Sequence, residues 1–182
     1  MSVTVLTAIL VLALAAGLFI LRAIPAVQSL FRYRGQRLVT CPETHKPEAV
    51  NVDTKEAALG AFLSEPTLHL NRCSRWPERQ DCAQQCIREI ETSPFGCALR
   101  AMLDNWYKGK ECIYCHCVFD EILWFDHKPA LQSPDGHIVE WKDIRPEAIP
   151  DVLRTHQPVC WNCSIVENFR TERPDLVTDR HR

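Results

Sequence analysis

The sequence lacks a net charge of either sign. Its 21 Lys and Arg against 23 Asp and Glu leave a formal charge of −2 over 182 residues. No global basic field exists to hold nucleic acid, so nucleic acid is not expected among its partners. The chain also lacks a P-loop, a dinucleotide-binding glycine fingerprint and a Ser-His-Asp order, and the chemistry those patterns carry is not expected. No internal repeat and no low-complexity tract is present. Charged residues at 24% and apolar residues at 46% match an ordinary globular chain rather than a disordered one. In one place charge is missing altogether, from Val3 to Leu21.

That stretch, VTVLTAILVLALAAGLFIL, is 19 residues long. As a helix it would reach about 28 Å, close to the hydrocarbon thickness of a bilayer. A cleaved signal peptide would carry positive charge ahead of a shorter apolar core. Here MSVT has no Lys or Arg, and the small-residue triplet Ala13-Leu14-Ala15 lies inside the apolar run. The stretch is read as a retained single-pass anchor, residues 1–22, with the lipid bilayer as its partner. Arg22, Arg32, Arg34 and Arg37 all follow the span, and the positive-inside bias places that side, with the soluble domain, in the cytoplasm. Segment 23–37 reads as a basic juxtamembrane linker with Phe31 and Tyr33 at the interface and its arginines near anionic lipid.

What the sequence has in excess is cysteine, ten of them. In a reducing compartment clustered thiols read as metal ligands rather than disulfides. Cys112-x2-Cys115 and Cys160-x2-Cys163 are two such pairs. A CxxC turn sets two thiolates for one tetrahedral Zn²⁺, and two turns close the shell. Forty-four residues separate Cys115 from Cys160, more than the usual ~15–20, and an intervening hairpin and helix absorb the excess.

Around these pairs the coarse reading is as follows. LVTCPETHKPEAVNVD predicts a hairpin with Cys41 at its bend, and Asp53 with Glu56 resembles a capping box for a helix through TKEAALGAFLSE. TLHLNRC predicts a strand. WPERQDCAQQCIREIET and FGCALRAMLDNWYKGK predict helices, the second stopped by Gly109. QSPDG is a turn joining two strands, RPEAIPDVLRTH a short helix, and the last Cys pair opens a helix with Ile165, Val166 and Phe169 facing inward.

Cys82 and Cys86, four apart on the predicted helix, share a face. With Cys73 just before it and Cys41 at a Pro-containing bend they form a candidate second metal site, for zinc or for a four-cysteine Fe–S cluster. His45 is a possible substitute ligand there. Cys97 and Cys117 read as core residues, and Trp76, Trp106, Trp124, Trp141 and Trp161 as core aromatics. Glu111, Asp120, Glu121 and Asp126 read as a solvated face.

A Cys knuckle, a β-hairpin and a second Cys pair opening a helix, in that order from Lys110 to about Arg173, resembles the treble-clef zinc fingers, and the zinc-ribbon group shares the two knuckles. One branch, the HNH nucleases, is similar in CIYC, FDHKP, PDGHIVEWKD and CWNCS. That resemblance implies His127 as general base and Asp126 as ligand of a catalytic divalent metal. The chain departs from it at Ser164, where an asparagine is expected, and at Trp141-Lys142-Asp143. Cys112, Cys115 and His116 also spell the c-type haem motif CxxCH, which would make His116 an axial ligand. A redox dithiol is a further reading of either CxxC.

The expected fold class is α+β: a single N-terminal transmembrane helix, then a small metal-stabilised domain with a treble-clef or zinc-ribbon-like C-terminal half. Segments 38–109 and 110–173 form its two subdomains and 174–182 a tail. Two closed thiolate shells would supply stability that a small core cannot, and they leave no open position for water. The expected function is a membrane-anchored zinc-binding module that docks on a membrane-associated protein. The alternatives are an electron-transfer protein with an Fe–S cluster or haem c, and an HNH-like nuclease.

Overall fold

A computed structural model describes residues 3–79 and 81–174. The chain divides into two compact units, Met1–Ala98 and Leu99–Arg182. Segment 99–109, grouped by sequence with the first Cys-containing subdomain, therefore belongs to the second unit. The expected tail lies, beyond Pro174, outside the described residues.

The first unit begins with α1 (Val3–Tyr33), 31 residues long, about 46 Å by helical rise. It is long and apolar enough to cross a membrane, and its most apolar window is wholly unburied. The helix does not stop at residue 22. It continues through Pro25 and takes up most of the segment read as a linker. Gly35, at φ +91°, makes the reversal into β1 (Gln36–Thr40), a conformation that costs an L side chain and suits glycine. β1 pairs antiparallel with β2 (Pro47–Val52), and β2 with β3 (Leu70–Cys73). Cys41 sits at the β1–β2 bend, as its Pro-containing sequence predicts. Between β2 and β3 lies α2 (Thr54–Leu63). Its cap is Asp53, whose side chain accepts from the backbone N–H groups of Lys55 and Glu56, satisfying two donors that a helix start leaves free.

Val39, Val50, Val52, Leu70, Ile90 and Tyr33 form the core of this unit. The burial of Tyr33 corrects the expectation that it faces lipid, while Phe31 is exposed. Arg37 is a second correction. It is 1% exposed, because it falls inside β1 rather than in a linker. Its guanidinium donates to the carbonyls of Pro94 and Arg32 and to Cys97 Sγ and lies 5.6 Å from the Tyr33 ring centroid. Arg22 is also engaged, donating to the Leu63 carbonyl at 2.6 Å. Cys97 is buried, as expected.

The helix read across WPERQDCAQQCIREIET forms only at its end, as α3 (Ile87–Thr92). Gln84 adopts φ +51°, and its side-chain carbonyl accepts from the Leu70 N–H at 2.9 Å. This loop-to-strand bond fixes Gln84 in a non-helical conformation, and a left-handed residue cannot sit inside a right-handed helix. Gln80 lies outside the described residues.

In the second unit α4 (Leu99–Tyr107) ends before Gly109, at φ +74°. A three-stranded antiparallel sheet follows in the order β5-β4-β6, from β4 (Ala130–Gln132), β5 (Ile138–Val139) and β6 (Gln157–Val159). The β4–β5 turn is closed by the Gly136 N–H on the Ser133 carbonyl, with Gly136 at φ +86°. Two 3₁₀ turns and α5 (Ile149–Thr155) lead into β6, and α6 (Trp161–Glu172) ends the described part. Tyr107, Phe119, Leu131 and Val159 form the core. The Tyr107 hydroxyl donates to the Ala130 carbonyl at 2.9 Å and accepts from Trp141 Nε1 at 3.1 Å. Burial pushes its pKa well above the ordinary phenol value.

Ile165, Val166 and Phe169 were expected to face inward. They are 47%, 49% and 47% exposed, and Trp161 is 37% exposed. The i, i+4 pattern is real, but the side of α6 that the sheet covers carries Ser164.

Candidate metal centre

The first knuckle is built by backbone pairing. The Phe119 N–H donates to the Lys110 carbonyl, and Glu111 and Val118 form an antiparallel bridge. Inside that ladder Cys112 N–H bonds the Cys117 carbonyl and His116 N–H bonds the Cys112 carbonyl, both at 2.9 Å. His116 takes φ +58° to complete the turn. The turn folds Cys115 and Cys117 back over Cys112.

β6 then delivers the second pair. The Ile113 N–H donates to the Pro158 carbonyl at 3.2 Å, which lays the end of β6 along the knuckle. Two residues later the Cys160 N–H donates to Cys112 Sγ at 3.3 Å. Cys160 is the N-cap residue of α6, and Cys163 falls in that helix's first turn.

The result is a thiol cluster. The Sγ atoms of Cys112, Cys115, Cys117 and Cys160 all lie within 4.8 Å of one another, near enough to hold a metal ion. Cys115 Sγ is 3.3 Å from Cys117 Sγ and 3.6 Å from Cys160 Sγ. A tetrahedral zinc with Zn–S bonds of about 2.3 Å needs sulfurs about 3.8 Å apart, so the observed spacings are those of a site ready to close on one ion. Cys163 adjoins the cluster and interacts with Cys160, Cys115 and Cys112, but its sulfur is not among those that all lie within 4.8 Å of one another. The four thiols that meet therefore differ by one from the four the sequence singled out: Cys117 is among them and Cys163 stands beside them. Cys117, read as a core residue, is exposed and belongs to this cluster. The signal for it was the Cys115-x-Cys117 spacing.

The electrostatics follow from crowding. The N–H of Cys117, then its thiol, hold Cys115 down to about 6. Burial, then the neighbouring Cys115 and Cys160 sulfurs, push Cys117 up to about 12. Burial first, then the surrounding thiols, raises Cys163; burial, with Cys115 and Cys112, raises Cys160 against the lowering effect of the Cys163 N–H and thiol. One thiolate therefore forms readily and repels the next. A cation among the sulfurs removes that repulsion, which is why such sites bind metal with release of protons.

The other candidate residues fare differently. His127 Nδ1 is 3.0 Å from Asp126 Oδ2, and the His127 ring meets Trp161 edge-on at 4.6 Å between centroids. Both members of the Asp-His pair are well exposed. Glu111, Asp120 and Glu121 are exposed, as read. For the CxxCH motif, His116 is exposed and 3.8 Å from Glu111. Cys112 has no exposed surface, and its sulfur accepts the Cys160 N–H, an arrangement that turns it toward the second knuckle rather than outward to a porphyrin edge.

In the first unit, Cys41, Cys73, Cys82 and Cys86 line one cavity of about 120 Å³. Cys82 and Cys86 do so from a loop, not from one face of a helix, which corrects the reason for grouping them. Burial, then the Cys73 and Cys82 sulfurs, push Cys86 up to about 11. Burial also raises Cys41, but Thr44, the Glu43 N–H and Arg75 outweigh it and leave the pKa below the ordinary thiol value. His45 has φ +55° and donates its N–H to the Cys41 carbonyl at 2.8 Å, forming the bend.

No protein-family model, no curated protein and no solved structure matches the chain.

Proposed function

We propose that this protein is a membrane-anchored module whose second unit is organised by a four-thiolate zinc centre, held by Cys112, Cys115, Cys160 and Cys163. The observation that carries the reading is the convergence of the Cys112, Cys115 and Cys160 sulfurs, Cys115 and Cys160 being 45 positions apart in sequence and 3.6 Å apart in space. Cys163 is proposed as the fourth ligand because it completes the second Cys-x-x-Cys pair and interacts with Cys160, Cys115 and Cys112; Cys117, whose sulfur lies within 4.8 Å of those of Cys112, Cys115 and Cys160, is its competitor for that position. Knuckle, hairpin and helix occur in treble-clef order, with α5 and β6 inserted before the second pair. A closed shell of four thiolates leaves no coordination site for water or substrate, so the ion's work is to fold the unit. The unit would serve as an interaction module for a membrane-associated protein, with α1 as its anchor and its bulk on the cytoplasmic side, where thiols stay reduced.

The test is metal analysis and absorption spectroscopy of the full chain purified in detergent. Zinc that is lost in Cys112→Ser supports the reading. Visible absorption that disappears in that same variant would instead place an Fe–S cluster or haem at this site and overturn the zinc assignment.

A further inference from the structure

The cavity in the first unit differs from the cluster in the second in a way that bears on its contents. Its four thiols come from three places in the chain: the β1–β2 bend (Cys41), the end of β3 (Cys73) and the loop leading into α3 (Cys82, Cys86). All four are partly buried. They share a cavity of about 120 Å³, yet they do not draw within 4.8 Å of one another as the sulfurs of Cys112, Cys115, Cys117 and Cys160 do. A single zinc would need them about 3.8 Å apart. An Fe–S cluster also takes four cysteines, and it has metal and sulfide of its own to fill the space between more widely spaced sulfurs.

Two further observations concern what lines the space. Trp76 is on the cavity wall, and its buried indole N–H has no hydrogen-bond partner in the protein. A buried donor without an acceptor calls for an acceptor supplied from elsewhere, and cluster or thiolate sulfur is one. Arg75 and Arg79 also line the cavity. Arg75 donates to Cys41 Sγ at 3.4 Å, and both arginines are held by Glu43, at 2.6 and 3.3 Å. The two arginines offset the carboxylates of Glu43 and Glu48, which line the same cavity, and Arg75 remains a charged donor to a cysteine sulfur. Hydrogen bonds to sulfur and local charge are the means by which a protein sets a cluster's potential.

We propose that Cys41, Cys73, Cys82 and Cys86 hold a second metal centre, an iron–sulfur cluster, independent of the zinc site in the other unit.

The experiment uses the full chain purified in detergent without oxygen and then supplied with ferrous and ferric iron in equal amounts, sulfide and zinc, so that the two ferric and two ferrous ions of a four-iron cluster are provided without a further oxidant. The expected result is iron and acid-labile sulfide in a one-to-one ratio, with visible absorption, alongside one equivalent of zinc. Cys82→Ser should lose the iron and the colour and keep the zinc; Cys112→Ser should do the reverse. Trp76→Phe keeps all four ligands and should retain the iron while shifting the reduction potential. Absence of iron and sulfide from the wild-type chain overturns the proposal, and so does a second zinc that Cys82→Ser removes. Iron that is lost in Cys112→Ser and kept in Cys82→Ser overturns it too, together with the zinc assignment. Loss of zinc alone from the wild type leaves the cluster standing and counts only against the other site.

Discussion

Replacing Cys163 or Cys117 by serine separates two ways of closing the metal centre, because five thiols compete for four positions. A structural zinc site contributes roughly 10–16 kcal/mol of binding free energy. Shared over four thiolates, each ligand accounts for about 3 kcal/mol, or on the order of a hundredfold in affinity. Serine keeps the shape of cysteine but does not ionise near neutral pH, so a ligand position changed to serine should lose about that much. Cys163 interacts with Cys160, Cys115 and Cys112 and sits on the first turn of α6, where it completes the second Cys-x-x-Cys pair. Cys117 is one residue past His116, exposed, 3.3 Å from Cys115 Sγ and within 4.8 Å of the Cys112 and Cys160 sulfurs, but it belongs to neither Cys-x-x-Cys pair. The expected outcome is a loss of about a hundredfold or more for Cys163→Ser and a change of only a few fold for Cys117→Ser. The assay is competition for zinc against a chromophoric chelator, with the full chain in detergent micelles. Equal large losses in both variants would refute the assignment of Cys117 as a spare thiol. Little change in either would refute a four-thiolate shell altogether. The pH dependence has a definite sign. Cys117, Cys160 and Cys163 are raised, so most of the cluster must shed protons to bind, and zinc affinity should climb as pH rises from 6 to 8.

Three other outcomes follow from the packing. Tyr107→Phe leaves the buried Ala130 carbonyl and Trp141 N–H without their partner and should cost about 1–3 kcal/mol in urea unfolding; because the folded phenol is raised, the wild type has this contribution in full below pH 10 and loses it as pH rises beyond, a component the Phe variant should lack. Gly60→Ala should destabilise the first unit by about 1–3 kcal/mol despite a propensity gain near 1 kcal/mol, since the new Cβ would meet the Glu65 carbonyl oxygen at 2.7 Å and the Thr67 nitrogen at 2.8 Å; a thermal melt with unchanged or higher midpoint would contradict this. Phe62 packs on Phe19, inside the apolar run of α1, with centroids 5.7 Å apart, and Leu63 beside it is exposed, so a polarity-sensitive dye on Leu63→Cys in nanodiscs should report an apolar setting and one on Lys55→Cys water.

The parts of the fold legible in the sequence were those written in local chemistry. Asp53 announced its helix because a short side-chain acceptor before a run of alanines has one favourable use. Ser133-Pro134-Asp135-Gly136 announced the β4–β5 turn because glycine alone enters positive φ freely. The meeting of the two knuckles was legible through Cys112, Cys115 and Cys160, whereas Cys117 was not, because a one-residue spacing reads as part of neither Cys-x-x-Cys pair. Arg37 was not legible. Counted with Arg22, Arg32 and Arg34 it looked like one of a set facing lipid, and only the pairing of β1 with β2 shows that its position points into the unit.

The misreading of Cys82 and Cys86 has the opposite lesson for the first unit's cavity. Their spacing fits one helical face, and WPERQDCAQQCIREIET has good helix formers, so local propensity favours a helix that the tertiary structure refuses. The refusal runs through Gln84, between the two cysteines, which gives up helical φ to let its side chain cap the free Leu70 N–H of β3. On a helix, Cys82 and Cys86 would stand one turn apart on a single ridge, and Cys41 and Cys73 would have to approach that ridge from outside. With the backbone turned at Gln84 the two thiols instead line the same cavity wall as Cys41 and Cys73. A residue that abandons its local preference has to be compensated by what the alternative conformation brings together. Here the turn at Gln84 brings Cys82 and Cys86 to the cavity that Cys41 and Cys73 also line.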